Sequence, residues 1–321
     1  MNFLSFLHTS HSRMGILLPE KVLKIIDYCR KNYRFMTGNP SLFFMRKLAR
    51  FEIVRDCVNL FRQITVGKET ENLETGNSVF SYIDVKKLDD ITASINRDGY
   101  YLGLNLPSSI VEEIIDYTYQ QSCYGDRNPE CQEYPDRSHK KQVTLQSKYQ
   151  VCSYMESFCP AVERLKTDPT LLNIATKFLG AKPRVVASEL LWSYPSTSTW
   201  AQKIKTAQVF HYDIDDYKCL KFFFYLTDVD KYSGAHIAIK GTHRKKRFIH
   251  QFLGQRCSSI PDEELINEYG AENVTTICGK AGFGFVEDSF CFHKGSTPIN
   301  KERLLLQIEF TLKGYGDIRG Y

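Results

Sequence analysis

Residues 209–226 read VFHYDIDDYKCLKFFFYL and join an H-x-D triplet to a long apolar run. The run begins at Cys219 and contains three consecutive Phe. Aromatic side chains in a short apolar segment are typical of a β-strand. The triplet lies in a second strand-like run, from Val209 to Asp213. This part of the chain therefore predicts a β-rich domain.

Strand-like segments continue on both sides of this stretch, separated by turn residues such as Ser233-Gly234. The candidates are 184–194, 206–213, 219–227, 235–239, 274–278, 283–287 and 303–312. Many strands without alternating helices indicate a sandwich or a jelly roll. The predicted fold class is mainly β with a helical N-terminal part.

Helical patterns dominate the first part of the chain. Residues 1–88 read as a mostly helical extension without an assigned role, and residues 89–321 as the β-rich domain. Within the latter, Asp168 before a proline predicts a helix start, and Gly180 predicts its end. Residues 121–150 are polar and predict a long excursion, which fits either a lid over a substrate or a mobile surface loop.

Length and composition are those of an ordinary globular protein. The chain has 321 residues and a net charge of +5, which is too small to argue for a nucleic-acid partner. Its ten cysteines form no C-x-x-C pair, so reduced thiols in a cytoplasmic protein are expected. Residues 1–14 lack a signal-peptide pattern, and no apolar run has the length of a membrane span. We therefore expect no membrane association.

His211 and Asp213 form a candidate metal site together with His293. Residues i and i+2 of a strand lie on one face, so His211 and Asp213 project the same way. His293, about eighty residues later, can complete a set of three ligands. Two His and one carboxylate with open positions opposite them suit a non-haem Fe(II) oxygenase. Taken alone, the triplet also fits a His and an Asp on a solvated strand face.

Arg303 adds a function that the metal ligands do not explain. It follows His293 by ten residues and opens a predicted apolar strand. A guanidinium binds a carboxylate through two parallel hydrogen bonds, which suits the far carboxylate of a 2-oxo acid. The near end of such an acid can fill two positions on Fe(II) and leave a third for O2. The constellation predicts an oxygenase that uses Fe(II), 2-oxoglutarate and O2.

The sequence around the triplet resembles the phytanoyl-CoA dioxygenase family. The matching segments are the H-x-D triplet, Phe222 to Leu226 with Asp228, Ser233-Gly234-Ala235, Lys240-Gly241-Thr242-His243-Arg244, Asp98-Gly99-Tyr100 and Asp168 to Gly180. The resemblance covers residues 89–313 and implies a double-stranded β-helix, the cupin-like form of the jelly roll, flanked by helices. By motif position it implies that His211, Asp213 and His293 bind Fe(II) and that Arg303 anchors 2-oxoglutarate.

One position departs from the family pattern. Relatives often carry a small hydroxyl residue two after the distal His, where it helps to hold the co-substrate. This chain has Gly295 there, followed by Ser296. Ser296 is therefore a candidate co-substrate residue, with Thr297 as an alternative. His236 and His243 belong to other family segments, and we expect them to form hydrogen bonds rather than to bind metal.

Asp213 also bears on the reaction. Halogenases of this architecture replace the carboxylate by a small residue, so its presence favours hydroxylation of a small-molecule substrate. Epimerisation, desaturation and cyclisation use the same ligand set and stay open. A β-helix domain that binds a ligand without turnover is a further alternative, although all four key residues are present. Acyl-CoA, amino-acid, sugar and polyketide-like substrates all fit, and the oligomeric state is open.

Overall fold

The computed structural model describes residues 29–30, 32–66, 76–135, 148–155 and 159–315. The chain divides into two compact units, Met45–Gly314 and a smaller unit of Met1–Phe44 with Tyr315–Tyr321. In the smaller unit, residues 32–38 are helical. The predicted division between residues 88 and 89 separates a helical extension from the β-rich domain, which is a different criterion from compactness. It stays a prediction. All ten cysteines are free.

The described part of the chain contains helices and strands in the following order. The helices are α1 Pro40–Leu48, α2 Glu52–Val66, α3 Val85–Asp98, α4 Ser108–Gln120, α5 Pro160–Lys166, α6 Pro169–Leu179, α7 Trp200–Lys205, α8 Phe248–Leu253 and α9 Asp262–Tyr269. The strands are β1 Tyr100–Leu102, β2 Cys123–Gly125, β3 Gln132–Glu133, β4 Val151–Met155, β5 Arg184–Ser193, β6 Cys219–Tyr225, β7 His236–Ile239, β8 Val274–Ile277, β9 Gly284–Asp288, β10 Phe292–Gly295 and β11 Arg303–Thr311. No helix in these ranges is long and apolar enough to cross a membrane.

The strands form two antiparallel sheets. The major sheet has the order β1-β9-β6-β11-β5-β4-β2-β3, and the minor sheet has the order β10-β7-β8. In both sheets some neighbours come from distant parts of the chain, such as β1 and β9 in the major sheet and β7 and β10 in the minor sheet. A jelly roll joins strands in this way. The fold is thus mainly β with flanking helices, and the predicted double-stranded β-helix is confirmed.

The central strands of the major sheet send side chains alternately into two cores. Phe222 and Phe224 of β6 lie in an outer core, which helices α3, α4 and α6 cover. Phe223 and Tyr225 lie on the opposite side, the inner face, and pack in an inner core with Ile277 of the minor sheet. Because a strand alternates its side chains, the apolar run of β6 is buried on both faces. The inner face positions the candidate site.

Helix α6 begins and ends as predicted. The Asp168 carboxylate accepts from the backbone N–H groups of Thr170 and Leu171, which satisfies donors that lack a partner at a helix start. Gly180 ends the helix with a left-handed φ of 87°, where a Cβ would be strained. The helix buries Leu171 against the major sheet in the outer core.

Residues 206–213 do not form the predicted strand. Only His211 takes part in strand pairing, through an isolated bridge to His293. Two residues later the backbone N–H of Asp213 donates to the carbonyl of Ser289 at 2.9 Å, in the loop between β9 and β10. The chain leaves the sheet here because its next hydrogen-bond partner belongs to a loop rather than to a neighbouring strand.

The predicted excursion over residues 121–150 is partly sheet. It contains β2 and β3, which extend the edge of the major sheet beyond β4. Residues 136–147 lie outside the described residues, and the predicted lid falls partly on them.

Candidate metal centre

His211, Asp213 and His293 come together between the two sheets. One ligand atom of each lies within 4.8 Å of the other two. His293 Nε2 is 3.4 Å from Asp213 Oδ2, and His211 Nε2 is 4.0 Å from Asp213 Oδ1. Within the described ranges, this is the one group of three or more His, Cys, Asp or Glu that is close enough to share a metal ion.

The backbone fixes the two His residues opposite each other. The N–H of His211 donates to the carbonyl of His293 at 3.0 Å, and the N–H of His293 donates back at 2.9 Å. His293 is also held in the minor sheet, where β10 pairs with β7 from Phe292 to Gly295. Ligands placed by strand pairing keep their positions better than ligands on free loops.

Both imidazole rings are held by the nitrogen that faces away from the site. His211 Nδ1 lies 2.8 Å from the Val209 carbonyl, and His293 Nδ1 lies 3.0 Å from the Cys291 carbonyl. A carbonyl accepts only, so Nδ1 carries the proton in each ring. In a neutral ring this leaves the lone pair on Nε2, which is the state that binds a metal ion.

The environment also sets the charge of the ligands. Burial, with His293 nearby, lowers the pKa of His211 to about 4, so this ring is neutral near pH 7. Burial alone would lower the pKa of His293, but Glu287 and Asp213 outweigh it and raise the pKa. For Asp213, burial would raise the pKa, but Lys221 and the two His residues hold it well below the usual range. Asp213 is thus a carboxylate, as a hard metal ligand must be.

Three ionisable side chains lie side by side behind the ligands, on the inner face. Strand register places Glu287 of β9, Lys221 of β6 and Glu309 of β11 in one row, which we call the charged row. All three are at most 5% exposed. Lys221 Nζ lies 2.6 Å from Asp213 Oδ2 and 3.4 Å from Glu309 Oε2. Sequence patterns did not predict this row, although Lys221 is the one charge in the apolar run of β6 and could have indicated it.

Glu287 supports the ligand set through a further histidine. Its carboxylate lies 2.7 Å from His236 Nε2, and the His236 ring stacks on the ring of His293 at 5.4 Å between centroids. His243 Nε2 lies 3.1 Å from the Asn96 carbonyl. His236 and His243 thus have the hydrogen-bond partners that were predicted for them, and both lie outside the candidate ligand set.

Arg303 opens β11 and is buried on the inner face, with 4% exposure. Its Nη1 donates to the Gly234 carbonyl, and its Nη2 donates to Ser193 Oγ at 3.0 Å. Its Nε is buried and has no acceptor, and no described carboxylate forms an ion pair with the guanidinium. A Cβ on Gly295, two residues after His293, would lie 3.5 Å from both terminal nitrogens. His293 and Gly295 lie on the same face of β10, so the guanidinium lies next to the residue that follows a candidate metal ligand on that face.

Ser296 follows directly after β10. Its backbone N–H donates to Ala235 at 2.9 Å, next to the Gly234 carbonyl that Arg303 contacts. Its hydroxyl is buried and has no partner among the described residues. Ser296 and Thr297 also line a cavity of about 550 Å³. The structure therefore places Ser296 near the Arg303 end of the site, and its role in binding stays a prediction.

A second arginine reaches the inner face from the turn after β2. Arg127 has a positive φ of 57° and pairs with both carboxylate oxygens of Glu189, at 2.9 and 3.1 Å. Ser153 Oγ donates to Glu189 Oε1 at 2.5 Å. In β5, Glu189 is four residues from Ser193, the partner of Arg303, and so lies on the same face. No sequence pattern links Arg127, Ser153 and Glu189, because they come from three separate strands or turns.

No protein-family model matches the chain, and no curated protein does. Solved structures match at the level of the fold. HygX from Streptomyces hygroscopicus, with nickel and 2-oxoglutarate bound, is 12% identical with a TM-score of 0.50, over 72% of this chain and 93% of that chain. The epimerase SnoN, in complex with Fe3+, alpha ketoglutarate and nogalamycin RO, is 17% identical with a TM-score of 0.48, over 71% and 84%. EctD from S. alaskensis with bound Fe is 15% identical with a TM-score of 0.47, over 77% and 85%. The chain shares the double-stranded β-helix fold of HygX.

Proposed function

We propose that the protein is an Fe(II)- and 2-oxoglutarate-dependent oxygenase. His211 and His293 would each offer a free Nε2, and Asp213 would offer a carboxylate oxygen. Their number and type suit the two-His, one-carboxylate set of non-haem iron enzymes. The fixed Nδ1 atoms support this reading, since a ligand His normally donates its other nitrogen to a carbonyl or carboxylate.

The buried guanidinium of Arg303 is the observation that carries the proposal. A buried cation without a counter-ion is costly, and proteins retain such a group where a ligand supplies the missing charge. The orphan Nε of Arg303 and the orphan hydroxyl of Ser296 both lie at this end of the site. The far carboxylate of 2-oxoglutarate would supply a charge to Arg303 and an acceptor to both residues.

Iron in this site would couple the activation of O2 to the decarboxylation of 2-oxoglutarate, with release of succinate and CO2. The residues of the chain would place the ligand atoms, hold the co-substrate and keep water out with the inner core. Asp213 as a retained carboxylate favours hydroxylation, and epimerisation, desaturation and cyclisation are the alternatives on the same ligands. The paired Arg127 and Glu189 give the inner face a polar wall, which suits a small molecule with polar groups.

Anaerobic titration of the Fe(II)-loaded protein with 2-oxoglutarate tests the proposal. A weak visible charge-transfer band is expected for wild type, because the co-substrate would bind the metal through two oxygens. The band should vanish in His211→Ala and need more 2-oxoglutarate in Arg303→Ala. His250→Ala, a buried His outside the ligand set, should keep the wild-type band. A folded wild-type protein that shows no band would contradict the proposal and favour a binding role without turnover.

A further inference from the structure

Lys221 has an unusual position for a lysine. It lies in the middle of β6, in a strand where every residue is buried, and its side chain is only 7% exposed. Lysine is rarely buried to this extent unless it is paired. Its ammonium group reaches three carboxylates, at 2.6 Å in Asp213, 3.4 Å in Glu309 and 3.7 Å in Asp215. One of these is a candidate metal ligand.

The bond from Lys221 selects one oxygen of that ligand. Oδ2 of Asp213 accepts from Lys221 and lies 3.4 Å from His293 Nε2, whereas Oδ1 is the oxygen nearest to His211 Nε2. The terminal torsion of an aspartate is otherwise broad, with no strong preference for one orientation of the carboxylate plane. The ammonium therefore determines how the carboxylate is turned toward the two imidazoles.

The ammonium group is itself fixed from behind. Glu309 holds it within the charged row, and Asp215 holds it from the loop that follows the triplet. Asp215 in turn accepts from Arg46 of α1 at 2.8 Å. This chain of charges connects the candidate ligand to β6, to β11 and to Arg46, and all of these residues belong to the unit Met45–Gly314.

We propose that Lys221 is a positioning residue, which orients the carboxylate of Asp213 for metal binding. The inference rests on the proposed metal centre. A positioning role and a purely electrostatic role of Lys221 predict opposite changes in metal affinity. A cation 2.6 Å from a ligand oxygen repels a metal ion, so a purely electrostatic effect would make Lys221→Met bind metal more tightly. Loss of orientation would make the same variant bind metal more weakly.

Titration calorimetry with Ni(II) and with Co(II), at one pH and without oxygen, decides between these signs. Lys221→Met should bind both ions about 10–100-fold more weakly than wild type, the usual effect of removing a partner of a metal ligand. The visible absorption of the Co(II) protein should change too, because the carboxylate would be turned differently. Lys218→Met removes a half-buried lysine that donates to the Phe178 carbonyl instead, and should match wild type.

Lys221→Arg guards against a loss of folding in the methionine variant. It keeps a cation in place, but its planar fork cannot reproduce a compact ammonium among three carboxylates. Weaker Ni(II) binding and an altered Co(II) spectrum are expected in a protein with wild-type circular dichroism. Equal or tighter binding in both variants, with an unchanged spectrum, would overturn the positioning role. Failure of wild type to bind either ion would instead count against the proposed metal centre.

Discussion

The two ends of the inner face treat charge in opposite ways. At the ligand end, Lys221 is surrounded by carboxylates, and Glu287 pairs with His236. At the other end, Arg303 is buried just as deeply but has only a carbonyl and a hydroxyl as acceptors. At the first end each charged side chain has an oppositely charged or histidine partner within the described protein. The second end lacks an anion.

The difference indicates that the first end is preorganised by the protein and that the second end is a binding site for an anion. Buried charges that are paired and hydrogen-bonded fix a geometry in advance, as a metal site requires. A buried guanidinium without a counter-ion raises the free energy of the free protein, and that energy is recovered when a carboxylate binds. The end that holds the metal ligands should therefore keep its geometry when a small molecule binds. The Arg303 end should become more stable when a carboxylate binds there.

The largest expected effect is on Ni(II) binding, and it distinguishes the candidate ligand His293 from the neighbouring His236. His293→Ala should abolish Ni(II) binding, because it removes one of three ligand atoms. His236→Ala removes a ring that stacks on His293 and pairs with Glu287, and should weaken binding by about 10–100-fold without abolishing it. Titration calorimetry on both variants measures this. An equal loss of Ni(II) affinity in the two variants would contradict the assignment of His293, and not His236, as a metal ligand.

The second effect compares the two buried cations by stability. Lys221→Met leaves several carboxylates without their cation, and breaking a buried pair costs about 3–5 kcal/mol. Arg303→Met removes an unpaired charge together with two hydrogen bonds, so the net change should be about 1 kcal/mol or less. Urea unfolding of the metal-free proteins gives both free energies. A loss in Arg303→Met as large as that in Lys221→Met would mean that Arg303 has a partner within the protein.

A third effect concerns ligand-induced stability at the Arg303 end. A ligand present at 100 times its Kd stabilises the folded state by about 2.7 kcal/mol. We therefore expect 2-oxoglutarate to raise the melting temperature of the Ni(II)-loaded wild type and to have little effect on Arg303→Met at the same concentration. Succinate, which lacks the keto oxygen, should stabilise less. An equal shift in both proteins would place the co-substrate away from Arg303.

Sequence patterns predicted most of the strands because those signals are local. Long apolar runs gave β6 and β11, and capping residues gave both ends of α6. They also singled out His211, Asp213 and His293, which the structure brings together. The charged row was not predictable in the same way, because Lys221, Glu287 and Glu309 meet only through the register of three strands. Register depends on tertiary packing, which a single sequence does not display.

The strand predicted over residues 206–213 was wrong for a related reason. An alternation of apolar and polar residues predicts a strand only if a partner strand lies alongside, and here the partner is one residue, His293. The projection of His211 and Asp213 to the same side was still correct in effect, although a loop bond to Ser289 holds Asp213 rather than a ladder.

The smallest expected effect tests how the Arg303 end holds the co-substrate. Ser296→Ala removes a buried hydroxyl that has no partner among the described residues, so it leaves the folded protein nearly unchanged. If that hydroxyl bonds to 2-oxoglutarate, one lost hydrogen bond of about 0.5–1.5 kcal/mol raises the Kd of the co-substrate by about 2- to 10-fold. Gly295→Ser is the matched variant, since its Cβ would lie 3.5 Å from both terminal nitrogens of Arg303 and its hydroxyl could accept from the guanidinium. Gly295→Ser could bind 2-oxoglutarate more tightly than wild type while Ser296→Ala has an unchanged Kd. That result would mean that a hydroxyl helps only at position 295. The natural chain, which has Gly295, would then hold the far carboxylate of 2-oxoglutarate by the guanidinium of Arg303 alone.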